Sequence, residues 1–405
     1  MQTIEIRNIG PLVETGNVPV SQVMLLIGEQ STGKSTFMKI LCFCCWLEKQ
    51  VMIGGEGIVS KYTHYYRFWN ELKKFHHLND DFLSDSSYIK YDGPAIQIEM
   101  DGKKRNAKIV RKANFAENKH NLKISFLPSE RNLLSSIQNI ENLYRSKEVD
   151  VLFNYILEWG EARAQFDAAH PLNLVFVDRM KYHFDAKNGD VLTLADGRSK
   201  IKPYYASSGV QSALPIQVLA TYLAAEVGTV AKKSPAEYLK QLDNLDPENV
   251  KTLLTEWNNF QNRSSYQSFR LFVEELEQNL FPKAQFELVK LLVGLLKQME
   301  KKPTGYKSTV FLTTHSPYVL TALNVMMLAS VAYGKSPERV RELGLEEYVL
   351  PYGSYSAYCI KDGRFESIVD EEYDFIKGDF LDSVSEMVDS YTFELNSIVS
   401  GGAEG

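Results

Sequence analysis

The sequence predicts an α/β fold whose core is divided by a long insertion, and three observations lead to this prediction. An apolar run, Val23–Ile27, ends at a glycine-rich loop, and residues 36–49 after the loop contain no Gly or Pro. Two later apolar runs, residues 269–273 and 309–313, are each followed by a helical pattern. Short apolar runs bounded by turn residues are typical of buried strands, and strands that alternate with helices predict a parallel sheet.

Composition and charge place the chain among globular proteins. Its 405 residues are 44% apolar and 24% charged, so it can bury a large core. The net charge of −6 gives no general attraction to nucleic acid. The first residues lack a basic and apolar leader, and no apolar run reaches about eighteen residues, so we expect a cytoplasmic protein without a membrane span. Residues 318–333 come closest to a span and are predicted to form a buried core helix.

The cysteines favour core packing over a metal site. Cys42, Cys44 and Cys45 fall in the predicted helix after the loop, and Cys359 lies far away in the chain. A zinc site uses paired thiols with further ligands nearby, and three thiols this close on one helix cannot all face one ion. We therefore expect buried, reduced thiols.

Periodicity and turn residues predict the remaining elements. Asp101-Gly102, Asn188-Gly189 and Asp362-Gly363 are typical of turns between strands. The predicted elements are strands at 2–8 and 22–27, a helix within 61–79, an antiparallel subsheet at 87–126, helices within 134–166, strands within 172–206, a helical stretch at 209–260, helices at 282–299 and from 317, a strand near 358–360 and a C-terminal helix.

The loop GEQSTGKST fits the pattern G-x-x-x-x-G-K-[ST]. Glycines at its tight positions let successive backbone N–H groups point at phosphate oxygens, and the next helix directs its positive end at the anion. Lys34 would reach the β- and γ-phosphates of ATP, and the Ser35 hydroxyl would bind Mg²⁺. An ordinary glycine-rich βα turn is the alternative. The predicted ATP-binding residues are Gly28, Glu29, Gln30, Ser31, Thr32, Gly33, Lys34, Ser35 and Thr36.

Two later segments predict the rest of a phosphate site. In RLFVEE an apolar strand runs into Glu274, which would hold Mg²⁺ through water, and Glu275, which would polarise an attacking water. In VFLTTHSPY, His315 follows a strand end, where it could donate to a γ-phosphate. The alternatives are two exposed glutamates that open a loop, and a capping or core histidine.

The segment SSGVQ predicts an anion-binding helix start, formed by Ser207, Ser208, Gly209 and Gln211. A plain helix cap is the alternative for these small polar residues. The whole set of segments resembles the ABC-type ATPase heads shared by SMC-like proteins and the OLD family. The loop matches Walker A, FVEE matches Walker B with the catalytic glutamate, NLFP lies at the D-loop, and His315 matches the switch histidine. SSGVQ resembles the LSGGQ signature, although Val210 replaces its second glycine.

The resemblance covers about residues 2–330 and is closest to the prokaryotic OLD-like branch, the "AAA family ATPases". LPSERN stands where that branch has P-A-E-R. It implies a P-loop NTPase of ABC/SMC-head type with an antiparallel β-subdomain and a helical insertion. The implied parts are an N-terminal ATPase lobe at 1–60, the β-subdomain at 61–130, a helical and β insertion at 131–206, the signature, Walker B and histidine part at 207–335, and a C-terminal α/β tail at 336–405.

The resemblance also implies a mechanism and a setting. One chain would supply the loop and another the signature, so a head-to-tail homodimer would enclose two ATP. Lys34, Glu275 and His315 would be catalytic, Ser35 and Glu274 would hold Mg²⁺, and Ser208 would read the γ-phosphate in trans. No coiled-coil arms, Toprim domain or other nuclease motif is evident. Relatives of this stand-alone kind occur in anti-phage systems, which implies a separate effector such as a nuclease or toxin.

Other interpretations stay open at this stage. The chain could be an ATP-binding scaffold that hydrolyses ATP weakly and holds a partner protein inactive, or a transporter ATPase subunit. The 240-residue separation of Lys34 from Glu274 argues against the transporter. The hairpin KKRNAKIVRK, from Lys103, concentrates positive charge and is a candidate DNA contact. A solvated hairpin face is the alternative for that segment.

Overall fold

The computed structural model describes residues 2–137, 150–229, 266–302, 304–370, 375–378, 390–393 and 395. The strands are β1 Thr3–Ile9, β2 Leu12–Glu14, β3 Val18–Pro19, β4 Val23–Ile27, β5 Leu83–Asp92, β6 Ile96–Asp101, β7 Ala107–Arg111, β8 Leu122–Leu127, β9 Leu172–Asn173, β10 Lys181–Asp185, β11 Gly189–Thr193, β12 Lys200–Ile201, β13 Ser268–Val273, β14 Thr309–Thr314, β15 Tyr355–Lys361, β16 Arg364–Ser367, β17 Val369–Asp370 and β18 Phe375–Ile376. The α-helices are α1 Lys34–Tyr62, α2 Arg67–His76, α3 Leu133–Ser136, α4 Val151–Arg163, α5 Ser208–Glu226, α6 Pro282–Glu300, α7 Pro317–Lys335 and α8 Pro337–Glu342.

A large mixed sheet forms the centre of the molecule. Its strand order is β7-β6-β5-β1-β2-β16-β15-β4-β14-β13-β8, and β3 pairs with β1. The strands from β15 to β8 are parallel, and those from β7 to β2 are antiparallel. The predicted α/β fold class, with an antiparallel part beside the strand, loop and helix of the phosphate motif, is therefore confirmed.

The burial of strand β4 shows that the central sheet is covered on both faces. All five of its residues are buried. Val23, Leu25 and Ile27 contribute to one apolar cluster, while Met24 and Leu26 contribute to another. Because successive strand residues point to opposite faces, a continuous apolar run is what a parallel strand between two helical layers requires. Helix α1 supplies the second cluster, and α5, α6 and α7 supply the first.

The predicted hairpins are present with one difference. Strands β5, β6 and β7 form the antiparallel subsheet, and the chain turns after Asp101. The alternating pattern was predicted to extend this subsheet to residue 126. Instead β8 pairs in parallel with β13, with Leu127 opposite Val273. Its pairing partner lies far along the chain, so local alternation does not distinguish the two arrangements.

The insertion carries a separate four-stranded sheet in the order β12-β11-β10-β9. The predicted turn at Asn188-Gly189 joins β10 to β11, where Asp185 pairs with Gly189. The helical predictions for 134–166 and 209–260 are met by α3, α4 and α5 where the chain is described. Residues 138–149 and 230–265 of these predictions lie outside the described residues.

The tail contributes to the centre of the sheet. Strand β15 pairs in parallel with β4, from Tyr355 opposite Val23 to Cys359 opposite Ile27, and then forms a hairpin with β16. Asp362 and Gly363 make the predicted turn. Most of the predicted C-terminal helix lies outside the described residues.

Two sequence predictions concern burial. The three clustered cysteines and Cys359 are buried, reduced thiols, as expected. Within the described chain, α7 has the length and composition of a membrane span. It was predicted as a buried core helix, but only one side is buried: Val319 and Leu323 face the core, whereas Leu328 is 64% exposed.

Candidate functional site

The loop between β4 and α1 owes its shape to two glycines. Gly28 and Gly33 have φ angles of 150° and 106°, a backbone region that L side chains rarely adopt. A Cβ on Gly33 would lie 2.5 Å from Leu12 Cδ2, and one on Gly28 would lie 2.8 Å from the Ile360 carbonyl oxygen. The Thr32 hydroxyl donates to the Glu29 carbonyl at 2.9 Å. The loop is therefore held open by glycine and packed against β2 and β15.

Lys34 is the first residue of α1 and lies inside this loop. Its ammonium donates to the carbonyls of Gly28 at 2.9 Å and Glu29 at 2.5 Å. Burial lowers the pKa of Lys34 to about 8, against the opposing effect of the Glu275 and Glu277 carboxylates. A bound phosphate would take over the ammonium from the two carbonyls. Of the remaining predicted loop residues, Gln30, Ser31 and Ser35 are exposed and Thr36 is buried.

Three neighbouring strands bring the predicted site residues to one edge of the sheet. Ile27 of β4 pairs with Thr314 of β14, and Leu312 of β14 pairs with Val273 of β13. Gly28, Glu274 and His315 directly follow the carboxyl ends of these parallel strands. This edge is where open α/β sheets bind ligands.

Glu274 has the surroundings of a cation ligand. It is 3% exposed, and its Oε2 accepts a hydrogen bond from the Ser129 N–H at 3.2 Å. Its Oε1 is buried without a hydrogen-bond partner among the described residues. Burial raises the pKa of Glu274, while Lys39 and a hydrogen bond from Ser35 oppose that rise. A carboxylate oxygen in need of a partner beside a hydroxyl suits Mg²⁺, so the residues fit this ion.

Glu275 is held in a strained conformation. Its φ angle is 47°, unusual for a residue with a side chain. Its N–H donates to the Thr313 hydroxyl at 2.9 Å, and its carbonyl accepts from Arg131 Nη2 at 2.7 Å. Strain of this kind persists where neighbours fix the backbone, and it is frequent at functional sites. The Glu275 side chain, which extends from this fixed backbone, is half-buried.

His315 is positioned by its backbone. Its N–H donates to Glu277 Oε1 at 2.6 Å, and the Thr314 hydroxyl donates to Glu277 Oε2 at 2.7 Å. Ser316 caps α7 by accepting from the Tyr318 N–H, and its hydroxyl donates to Gln285 at 2.6 Å. The backbone of the half-buried His315 is thereby fixed just before α7, at the end of the strand that lies between β4 and β13.

The signature-like residues lie at the start of α5. Ser207 is the N-cap of α5, Ser208 is exposed, and Gln211 donates to the carbonyls of Pro203 and Tyr204. A Cβ on Gly209 would lie 2.8 Å from the Asn279 carbonyl, so glycine permits a close backbone approach here. Ser208 thus presents its hydroxyl to the surroundings of the chain.

Residues outside the predicted set complete the arrangement. Arg131, Glu277 and Asn279 contact the acid pair, the histidine and the signature helix respectively. The sequence singled out Arg131 only as part of LPSERN, and it did not single out Glu277, three residues after Glu274. Neither local pattern shows which distant backbone groups these side chains reach.

Comparisons with known proteins give a limited result. No protein-family model and no curated protein matches the sequence. Similar solved structures include an SMC head bound to the C-terminal winged-helix domain of ScpA, an SMC head domain from Thermotoga maritima, and the recombination mediator RecF with a bound ATP analogue. Their identities are 10%, 10% and 11%, and their TM-scores are 0.34, 0.34 and 0.31. They cover 90% of this chain and 96–97% of their own chains. At these scores the likeness implies no shared activity, ligand or partner.

Proposed function

We propose that this protein binds and hydrolyses ATP and uses the reaction as a molecular switch. One observation carries the proposal: a glycine-shaped phosphate loop, the acid pair and His315 follow the ends of three adjacent parallel strands. Each of these parts is common alone. Their convergence on one edge, with an orphaned buried carboxylate oxygen among them, is what phosphoryl transfer to water requires.

The residues divide the chemistry between them. Lys34 and the loop N–H groups would bind the phosphates, with Ser35 and Glu274 placed to hold Mg²⁺. When bound, Mg²⁺ neutralises charge on the β- and γ-phosphates. Glu275 would orient a water and accept its proton. The water oxygen then bonds to the γ-phosphorus, the bond to the bridging oxygen breaks, and ADP leaves with the electron pair. His315 would donate to a γ-phosphate oxygen.

We further propose that the active form is a head-to-tail dimer. The exposed Ser208 at a helix start is suited to an anion that its own loop does not supply. Ser208 of the partner subunit would close over the ATP held by the loop, and two-fold symmetry would give two enclosed ATP molecules. Hydrolysis removes the γ-phosphate that joins the two subunits, so the dimer opens.

The oligomeric state of Glu275→Gln tests the proposal. This substitution removes the proton acceptor and retains the binding residues. We expect the mass from size exclusion with light scattering to double with ATP and Mg²⁺, and ATP turnover to fall at least 100-fold. Lys34→Ala should stay monomeric because it lacks the phosphate-binding cation, and Ser208→Arg should stay monomeric because its bulk blocks closure. A mass independent of ATP would contradict the switch and favour the scaffold.

The cellular role that we propose rests on the resemblance described above. The ATPase would act in anti-phage defence or a related DNA process, with a separate effector such as a nuclease. Phage plating on cells that carry the gene with its neighbours tests this role. We expect protection with the wild-type chain and none with Lys34→Ala. Equal plating in both would remove the defence role and leave the ATPase unaffected.

DNA is the second partner that we propose, and one surface favours it. The exposed residues 103–105 form the turn between β6 and β7, next to Asn106. Asn106 Oδ1 accepts from the Tyr66 N–H at 2.9 Å, which places the exposed pair Tyr65 and Tyr66 beside this basic turn. Cations neutralise phosphates, and exposed aromatic rings can stack on bases.

Charge reversal tests the DNA contact. The triple variant Lys103→Glu, Lys104→Glu, Arg105→Glu should bind duplex DNA at least ten-fold more weakly, with a smaller salt slope. The control triple variant Lys181→Glu, Lys187→Glu, Lys200→Glu changes the net charge equally on the small sheet. Equal affinity and salt slope for the wild type and the first variant would remove the contact.

A further inference from the structure

Arg131 is a fully buried charge whose partners are backbone carbonyls. Its side chain has no exposed surface, and its three donor atoms reach three main-chain oxygens. Nη1 donates to the Glu274 carbonyl at 2.5 Å, Nη2 to the Glu275 carbonyl at 2.7 Å, and Nε to the Ser212 carbonyl at 3.0 Å. A buried guanidinium requires such partners, and its planar fork fixes their relative positions. Arg131 therefore joins the acid pair to a second element.

That second element is the helix that begins at the signature-like segment. Ser212 lies in α5, one turn after Ser208. Asn279, in the segment after the acid pair, donates to the Ser212 hydroxyl at 3.1 Å, and its carbonyl approaches Gly209. The start of α5 consequently packs against the chain segment that includes Glu275.

The start of α5 is also less firmly tied to the rest of its helix. Pro215 lies inside α5 and has no N–H to donate to the carbonyl four residues earlier. A proline at this position removes one helical hydrogen bond and favours a bend. The first turns, with Ser208, can therefore follow a shift in the acid pair without displacing the whole helix.

We infer that Arg131 couples the two ATP sites of the dimer. When the acid pair closes on ATP, Arg131 carries the backbone shift to Ser208 on the same chain. This inference rests on the proposed function, in which that Ser208 contacts the ATP held by the other subunit. Arg131 is a positioning residue, since it acts through the backbone carbonyls of the acid pair and of α5. Occupation of one site thus favours closure of the other, and turnover rises cooperatively with ATP.

Two substitutions test the coupling. Arg131→Lys keeps the charge but replaces the three-donor fork with one ammonium, and Arg131→Met removes the charge. For both, we expect the ATP affinity of the separate subunit to change less than three-fold. The Hill coefficient of turnover should fall from about 2 in the wild type to about 1. Turnover at saturating ATP should fall at least ten-fold while the KM changes little.

Arg270→Lys is the matched control. Arg270 is a buried arginine in β13, the strand that leads into the acid pair, but it contacts Cys45 and Gln2 rather than the site. This variant should lose stability and keep the wild-type Hill coefficient. If Arg131→Met does not fold, Arg131→Lys carries the test. In a double-mutant cycle, Arg131→Lys should have no further effect on ATP-driven dimerisation when Ser208→Ala is present.

The outcomes separate the inference from the function beneath it. A Glu275→Gln protein that ignores ATP would remove the dimeric switch, and the coupling with it. An ATP-dependent dimer in which both Arg131 variants keep the wild-type Hill coefficient would overturn the coupling alone. Additive effects of the Arg131 and Ser208 substitutions, or a wild-type Hill coefficient of one, would also overturn it.

Discussion

At the scale of single residues, the site contains residues in energetically unfavourable surroundings or backbone conformations. Glu274 is a carboxylate with a buried oxygen that no described group satisfies, and Glu275 has a left-handed backbone conformation. Lys34 is a cation held by carbonyls in a partly dry loop. Each condition is costly in the free protein and would be relieved by a ligand of the right charge. This pattern of strain and desolvation is typical of functional sites.

The lowered pKa of Lys34 predicts how nucleotide affinity depends on pH. Only the protonated ammonium attracts phosphate. Once the pH exceeds the Lys34 pKa of about 8, Lys34 must take up a proton when phosphate binds, and this proton uptake weakens the affinity. A terminal phosphate is already ionised there, because phosphate monoesters on side chains have a last pKa of about 6. We expect the Kd of a fluorescent ATP analogue to be flat between pH 7 and 7.5 and to rise toward ten-fold per pH unit above pH 8.

Lys34→Arg serves as the control for that titration. Arginine stays charged over the whole range, so its Kd should not rise in the same way. Circular dichroism at each pH checks that both proteins remain folded. A wild-type Kd that does not change up to pH 9.5 would show that Lys34 titrates outside this range or does not contact the phosphates.

At the scale of elements, helix α4 carries a buried carboxyl group against the sheet. Glu158 is 5% exposed and accepts hydrogen bonds from Ser125 and from Asn154. Burial raises the pKa of Glu158 to about 7, while Lys123 and these hydrogen bonds oppose the rise and Glu161 adds to it. The folded chain therefore binds a proton here that the unfolded chain, with an ordinary carboxyl pKa, has released.

This difference predicts a loss of stability as the pH rises. The folded-state pKa of Glu158 lies above the unfolded value. The contribution of Glu158 to the free energy of unfolding is therefore fully present below pH 4.5 and is lost as the pH rises through 7. The free energy of unfolding should fall by about 2–3 kcal/mol between pH 5 and 8 from this group. Glu158→Gln cannot titrate, so its stability should change less over the same range. Urea denaturation at both pH values measures the difference, and identical pH dependence in the two proteins would contradict it.

At the scale of the whole molecule, the phosphate loop depends on both ends of the chain. Its strand β4 lies between β14 and β15, and β15 comes from the C-terminal tail. The tail supplies buried side chains to the core, including Ala357 and Ile360, and its backbone packs against Gly28. The predicted parts at 1–60 and 336–405 are joined within one sheet, so neither is expected to be stable without the other.

Truncation tests this dependence. A chain ending at residue 351 lacks β15 and its hairpin, so β4 becomes an edge strand with unpaired backbone N–H and C=O groups. We expect it to be insoluble or to unfold without cooperativity, and to lose binding of the ATP analogue. A chain ending at residue 378 keeps these strands and should retain both properties. Cooperative unfolding and nucleotide binding by the shorter chain would contradict the dependence.

Features that depend on consecutive residues can be predicted from the amino-acid sequence. The strand, loop and helix around Lys34, the acid pair after β13 and the histidine after β14 follow from local spacing and residue chemistry. Hairpins were predictable for the same reason, since turn and strand patterns are local. The α/β class followed because apolar runs alternate with helical patterns.

Which of these features lie next to one another depends on contacts between distant parts of the chain. Arg131 reaches Glu274 across 143 positions and Ser212 across 81, and no periodicity encodes such contacts. The same holds for β8 beside β13 and for β15 beside β4, because any buried apolar strand can fill any central place in a parallel sheet. Packing of the two helical layers selects one order, and that order places the acid pair and the signature helix within reach of one arginine.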